Sequence, residues 1–88
     1  MKITIYTKMG CPWCKDALHF LRSHNVQFEE KDVLINPKYF DELVAKSGQS
    51  KAPTLDVDGE LLKDTDAKEI EAFLRKKGIL NGDRKSVV

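Results

Sequence analysis

Cys11 and Cys14 stand three positions apart, with Pro12 and Trp13 between them. Two thiols at this spacing can exchange a disulfide with a partner, ligate a metal or simply pack, so their surroundings decide. Before them, Lys2 to Thr7 alternates, with Ile3 and Ile5 on one face, and reads as a strand. After them, Pro12 suits the first turn of a helix, where its missing N–H costs nothing. Cys14, Ala17, Leu18 and Leu21 then follow at i, i+3, i+4 and i+7, an apolar stripe. Cys11 thus falls at or just before a helix start, where unpaired N–H groups and the positive dipole end favour an anion. Thiols so placed drop from about 8.5 to roughly 3.5–7.5, and Lys8 and Lys15 add positive charge where they face the pair. Cys14 opens the apolar stripe, so it is expected to be more buried, with a normal or raised pKa. This asymmetry assigns attack on a disulfide to Cys11 and resolution of the mixed disulfide to Cys14. Pro12 turns both sulfurs toward one spot, and Trp13 is expected to project beside them as an apolar wall.

The other uses of such a pair remain open at this level. A bridge between Cys11 and Cys14 closes a very small loop and stabilises little. A structural zinc site usually takes four ligands, and only His19 and His24 remain as candidates. Their i, i+5 spacing does not set both on one helix face, so no metal is expected. His24 reads instead as a polar residue near a helix end. An inert pair of packed cysteines fits the strand-to-helix context less well.

The 88 residues hold one domain, and the 41% apolar fraction can build one modest core. Fifteen Lys and Arg stand against fourteen Asp and Glu, with no basic cluster interleaved with aromatics. Nucleic-acid binding has no electrostatic footprint in such a chain. The opening Met1-Lys2-Ile3-Thr4-Ile5 lacks the long apolar stretch of a signal peptide, and no segment approaches membrane-spanning length. A reducing cytoplasm and a monomer are the expectations.

The remaining elements must hold the cysteine pair in place. Val26 to Val33 is a second strand candidate despite its charges. Asn36-Pro37 reads as a helix cap and first residue, Phe40, Leu43 and Val44 as that helix's buried face, and Gly48 as its stop. Leu55/Val57 and Leu61/Leu62 flank Asp58-Gly59, the pair that a tight primed hairpin turn prefers. A last helix starts near Asp64–Asp66, turns Ala67, Ile70, Phe73 and Leu74 inward, and ends at Gly78 after Arg75, Lys76 and Lys77. The expected order is β-α-β-α-β-β-α: a parallel crossover, then an antiparallel hairpin, giving a mixed four-stranded α/β sheet flanked by three helices. Residues 1–80 form the domain and 81–88 a loosely held tail.

With these elements placed, the chain resembles the dithiol glutaredoxins. Ile5-Tyr6-Thr7-Lys8 followed by Cys11-Pro12-Trp13-Cys14 is similar to the family's active-site signature, with Trp13 where Tyr is more usual. Ser47-Gly48-Gln49 leading to Ala52-Pro53-Thr54 resembles its second signature, Val57-Asp58-Gly59 the hairpin after it, and Thr65-Asp66 the start of the last helix. The resemblance implies the thioredoxin-like fold, with Pro53 a cis-proline facing a redox-active Cys11–Cys14 pair. It also implies a glutathione groove: Lys8 at the glycine carboxylate, Trp13 flanking the tripeptide, Ala52 beside Pro53 pairing with the cysteine backbone, and Thr65 and Asp66 holding the γ-glutamyl end. Asp66 reads equally as a helix cap, with Glu69 completing a capping box. Lys63 and Asp64 stand where the family usually has Gly-Gly, and Lys51 where Thr is common. Lys and Asp restrict the positive φ and close approach that glycines allow. Asp64 would repel the glutamyl carboxylate, whereas Lys63 would attract it.

The activity so implied is reduction of protein disulfides or protein–glutathione mixed disulfides, with glutathione as reductant. Two other readings stand beside it. Glutaredoxin-like electron donors of ribonucleotide reductase resemble the chain in size and are reduced by thioredoxin reductase. Other glutaredoxins carry a [2Fe–2S] cluster between two subunits, usually with a single cysteine and no proline at the site, unlike Cys14 and Pro12 here.

Overall fold

The computed structural model describes residues 2–80; the expected tail at 81–88 lies outside the described residues. The element order is β1 (Ile3–Thr7), α1 (Pro12–Ser23), β2 (Glu29–Asp32), α2 (Pro37–Ser47), β3 (Thr54–Val57), β4 (Glu60–Leu62) and α3 (Ala67–Lys76). The strands form one sheet in the order β2-β1-β3-β4. β1 pairs with β2 in parallel, and β3 runs antiparallel to both β1 and β4. This is the mixed four-stranded, three-helix architecture expected from the sequence.

Local chemistry sets most of the boundaries. Asn36 accepts the Lys38 N–H at 3.0 Å as the cap of α2, Pro37 follows it, and Gly48 ends the helix at φ 73°. The hairpin turn has Asp58 at φ 51° and Gly59 at φ 95°, the paired positive angles of a primed turn. Asp66 caps α3 by accepting the Glu69 N–H at 2.9 Å. The capping box is only half made, because the Thr65 hydroxyl lies 3.1 Å from the Glu69 carboxylate.

The main core lies between the sheet and the α1/α3 pair: Ile3, Ile5, Leu55 and Val57 meet Ala17, Leu21, Ile70 and Leu74. Every residue of β1 is buried, since it is a central strand covered on both faces. β2 is the opposite case. The expected Val26–Val33 strand is only the four charged residues Glu29–Asp32, an edge that their charge protects from further pairing. Val26 and Phe28 instead pack against the core from the preceding segment.

The face assigned to α2 needs correction. Leu43 and Ser47 are buried, and Tyr39 packs with the Tyr6, Val33 and Leu43 cluster, whereas Phe40 and Val44 remain 38% and 39% exposed. The physical reason is the sheet face that α2 covers, which is polar. The buried Tyr6 hydroxyl donates to Glu42, which also pairs with Lys31 at 2.7 Å; Lys46 pairs with Asp56 at 2.9 Å. Burial, followed by the Glu42 bond, pushes the Tyr6 phenol above its usual range. The Lys31 hydrogen bond, then that of Tyr6, holds the Glu42 carboxyl below its own. An amphipathic helix placed over such a surface presents its charged shoulder as well as its apolar centre. Leu43→Ala should therefore cost about 2–4 kcal/mol in chemical denaturation, whereas Val44→Ala should cost less than about 1 kcal/mol. Equal costs would restore the original face.

Candidate redox site

The loop after the central strand β1 and the first turn of α1 carry the two sulfurs. Gly10 turns the chain at φ 85°, and Cys11 becomes the N-cap of α1 in extended geometry. Its Sγ accepts the Cys14 N–H at 3.4 Å, the place that a capping oxygen usually fills. The Cys11 N–H is held by the Lys8 carbonyl at 3.1 Å, and its carbonyl receives the Lys15 N–H at 3.1 Å. Cys11 is thus fixed by its own backbone while its sulfur stays partly open. Cys14, one turn on, is buried. Both cysteines are thiols.

Their environments separate as the helix position predicts. Burial first, and then the hydrogen bond with Cys11, pushes the Cys14 thiol up to about 12. The negative charge of Asp32, at the end of β2, adds to the same direction. The inner sulfur is therefore held as a thiol at neutral pH.

Beside Cys11 opens a groove of about 410 Å³. Lys8 and Cys11 line it from the first loop and Trp13 from the first turn of α1, Lys51 and Ala52 from the approach to β3, and Asp64, Thr65 and Asp66 from the approach to α3. Trp13 is 61% exposed, standing out beside the sulfur as expected. The Ala52–Pro53 bond is cis, and the buried Pro53 lies behind the wall, its carbonyl accepting the Thr65 N–H at 2.8 Å. Of the residues singled out in the sequence, Lys8, Cys11, Trp13, Ala52, Thr65 and Asp66 border one space; Cys14 and Pro53 lie buried behind it.

Two of the substituted positions shape this space. Asp64 takes φ 49°, the left-handed conformation that a glycine adopts freely and an aspartate at some cost. Asp64 lines the groove, as does Lys51, whereas Lys63 does not. The groove therefore carries two basic residues, Lys8 and Lys51, and two acidic ones, Asp64 and Asp66. A second depression of about 550 Å³ lies on the α2 face, but Lys31, Lys46 and Asp56 there are already paired and no sulfur borders it.

Comparison with known proteins agrees with this arrangement. The glutaredoxin family model matches residues 3–62. The chain belongs to the glutaredoxin family. It is 32% identical over 74 residues to an uncharacterised glutaredoxin-like 8.6 kDa protein in the rubredoxin operon of Clostridium pasteurianum, covering 84% of this chain and 99% of that one. It is 33% identical over 58 residues to glutaredoxin 3 of Escherichia coli strain K12, covering 66% and 70%. Among solved structures it is similar to a thioredoxin-like protein, with a TM-score of 0.76 and 30% identity over 83% of this chain and all of that one. The glutaredoxin is thus a thiol–disulfide oxidoreductase of thioredoxin-like fold. No helix among the described residues is long and apolar enough to cross a membrane.

Proposed function

We propose that this glutaredoxin reduces protein disulfides and protein–glutathione mixed disulfides, with glutathione as the reductant. The observation that carries the reading is the groove itself, where three separate segments meet beside the one partly open sulfur, Cys11. In the first step the Cys11 thiolate attacks one substrate sulfur, and the other leaves as a thiolate that takes up a proton. Cys14 then gives up its proton and attacks Cys11 Sγ, releasing the second substrate thiol and closing a Cys11–Cys14 disulfide. Two glutathione molecules restore the dithiol: one opens the disulfide as a mixed disulfide, and the other removes it as glutathione disulfide. Lys8 attracts the glycine carboxylate, Trp13 supplies an apolar side, Ala52 offers backbone, and Thr65 and Asp66 receive the γ-glutamyl end.

A second reading keeps the chemistry and changes the donor to a protein, thioredoxin reductase, with ribonucleotide reductase among the acceptors. It is favoured by Asp64, an acidic residue that lines the groove together with Asp66. The two are separated by supplying oxidised protein either with glutathione, glutathione reductase and NADPH or with thioredoxin reductase and NADPH. Following NADPH with one disulfide substrate, turnover is expected in the first mixture. Turnover confined to the second would assign the protein donor.

A further inference from the structure

We propose that Thr54 is a positioning residue, whose hydroxyl clasps together the two walls of the groove. The proposal rests on the reading of that groove as the place where substrate or glutathione lies. Thr54 opens β3 directly after Pro53 and is fully buried, so it does not border the groove itself. Its hydroxyl donates to the Lys51 carbonyl at 2.8 Å, on one wall. It accepts the Asp64 N–H at 3.3 Å, on the other wall, and the Gln49 side-chain amide at 3.2 Å. A hydroxyl has one proton and two lone pairs, and here all three are used.

Gln49 carries the clasp outward. Its carbonyl oxygen accepts the Lys51 N–H, and its amide also lies 3.1 Å from the Ser47 hydroxyl. Ser47 in turn donates to the Leu43 carbonyl at 2.7 Å, which ties the assembly to the last turn of α2. Among the described residues, the only other hydrogen bond between the two walls runs from the Thr65 N–H to the Pro53 carbonyl, and any side chain would permit it. The Thr54 hydroxyl is therefore the tie that a substitution can remove.

The clasp also answers the question raised by the absent glycines. Asp64 adopts a left-handed backbone that non-glycine residues take at some cost, and the bond from its N–H to Thr54 helps to hold it there. Both charged residues that distinguish this groove, Lys51 and Asp64, are thereby tied through their backbones to one buried oxygen. A ligand entering a groove so fixed has less chain to order on binding.

The test uses the full chain as wild type, Thr54→Val, Thr54→Ser and Gln49→Ala, with a peptide–glutathione mixed disulfide as substrate. Valine keeps the shape and removes the hydroxyl, and should raise KM about tenfold with kcat nearly unchanged. The rate of Cys11 alkylation by iodoacetamide, which needs no groove, should stay at the wild-type value. Serine should restore KM, and Gln49→Ala should raise it by a smaller factor. A wild-type KM in Thr54→Val, an equal defect in Thr54→Ser, or alkylation falling in step with turnover would overturn the clasp. If the valine variant does not fold, an unchanged KM in Gln49→Ala overturns it alone. Failure of the wild-type protein to reduce the mixed disulfide at any concentration would overturn the proposed function instead. The clasp then stands or falls on hydrogen exchange: the Asp64 amide should exchange faster in Gln49→Ala or Thr54→Val than in Thr54→Ser, and equal rates would refute it.

Discussion

Cys11→Ser should reduce turnover of every disulfide substrate to the uncatalysed rate, whereas Cys14→Ser should lose protein disulfides and keep glutathione mixed disulfides. The difference follows from where each sulfur sits. Cys11 borders the groove and takes the cap position of α1; Cys14 is buried one turn further in. Only Cys11 can meet a substrate sulfur without local unfolding. A glutathione mixed disulfide needs one attack by Cys11 and a second glutathione, so Cys14 is dispensable. A protein disulfide leaves the substrate tethered until Cys14 displaces it. The same asymmetry has a pH signature. With the Cys14 thiol pushed up to about 12, about one in 10⁵ is ionised at pH 7. Once Cys11 has attacked, its thiol no longer raises that of Cys14, but burial and the charge of Asp32 still do. The sign is therefore fixed: release of a protein from its Cys11 mixed disulfide should accelerate with rising pH from 6 to 9, close to tenfold per unit while the thiolate fraction limits the rate. Rapid-mixing measurements of product thiol would show this. A plateau below pH 8, or activity surviving in Cys11→Ser, would reverse the assignment.

Much of this site was legible because its determinants are local. A proline after Cys11, an Asn-Pro pair, an Asp-Gly turn and an Asp cap each act within four residues, and each marks the boundary that the fold uses. The groove was legible only through resemblance, since spacing along the chain does not show that Lys8, Ala52 and Asp66 border one space. What escaped depends on neighbours distant in sequence. The buried face of α2 was misassigned because helical periodicity favours Phe40 and Val44, whereas Tyr6, Lys31 and Asp56 make the facing sheet polar. Thr54 belongs to the second signature, but nothing in the sequence shows what its hydroxyl holds. A threonine at a strand start is ordinary, and its three partners come from positions 49, 51 and 64. The Ser47-Gly48-Gln49 motif was recognised as a signature, but its hydrogen bonds explain what it holds.

Asp64 carries the second large effect. The residue lines the groove together with Asp66, which is assigned to the γ-glutamyl end. That end of glutathione bears an ammonium, which Asp66 attracts, and a carboxylate, which the charge of Asp64 opposes. At the short range of a groove wall open to water, one such repulsion is worth about 1 kcal/mol, or roughly fivefold in affinity. Asp64→Asn should therefore lower KM for glutathione by about that factor at low ionic strength, and the gain should shrink as salt screens the pair. Asparagine also tolerates the left-handed backbone at φ 49°, so it removes the charge without disturbing the turn. Asp64→Gly changes both, and serves to separate them. If glycine lowers KM and asparagine does not, the side chain acts through the backbone. If both lower it alike, charge is the cause, and Asp64 limits how tightly this glutaredoxin holds glutathione. An unchanged KM in both variants would remove Asp64 from ligand recognition and with it the main structural support for a protein electron donor.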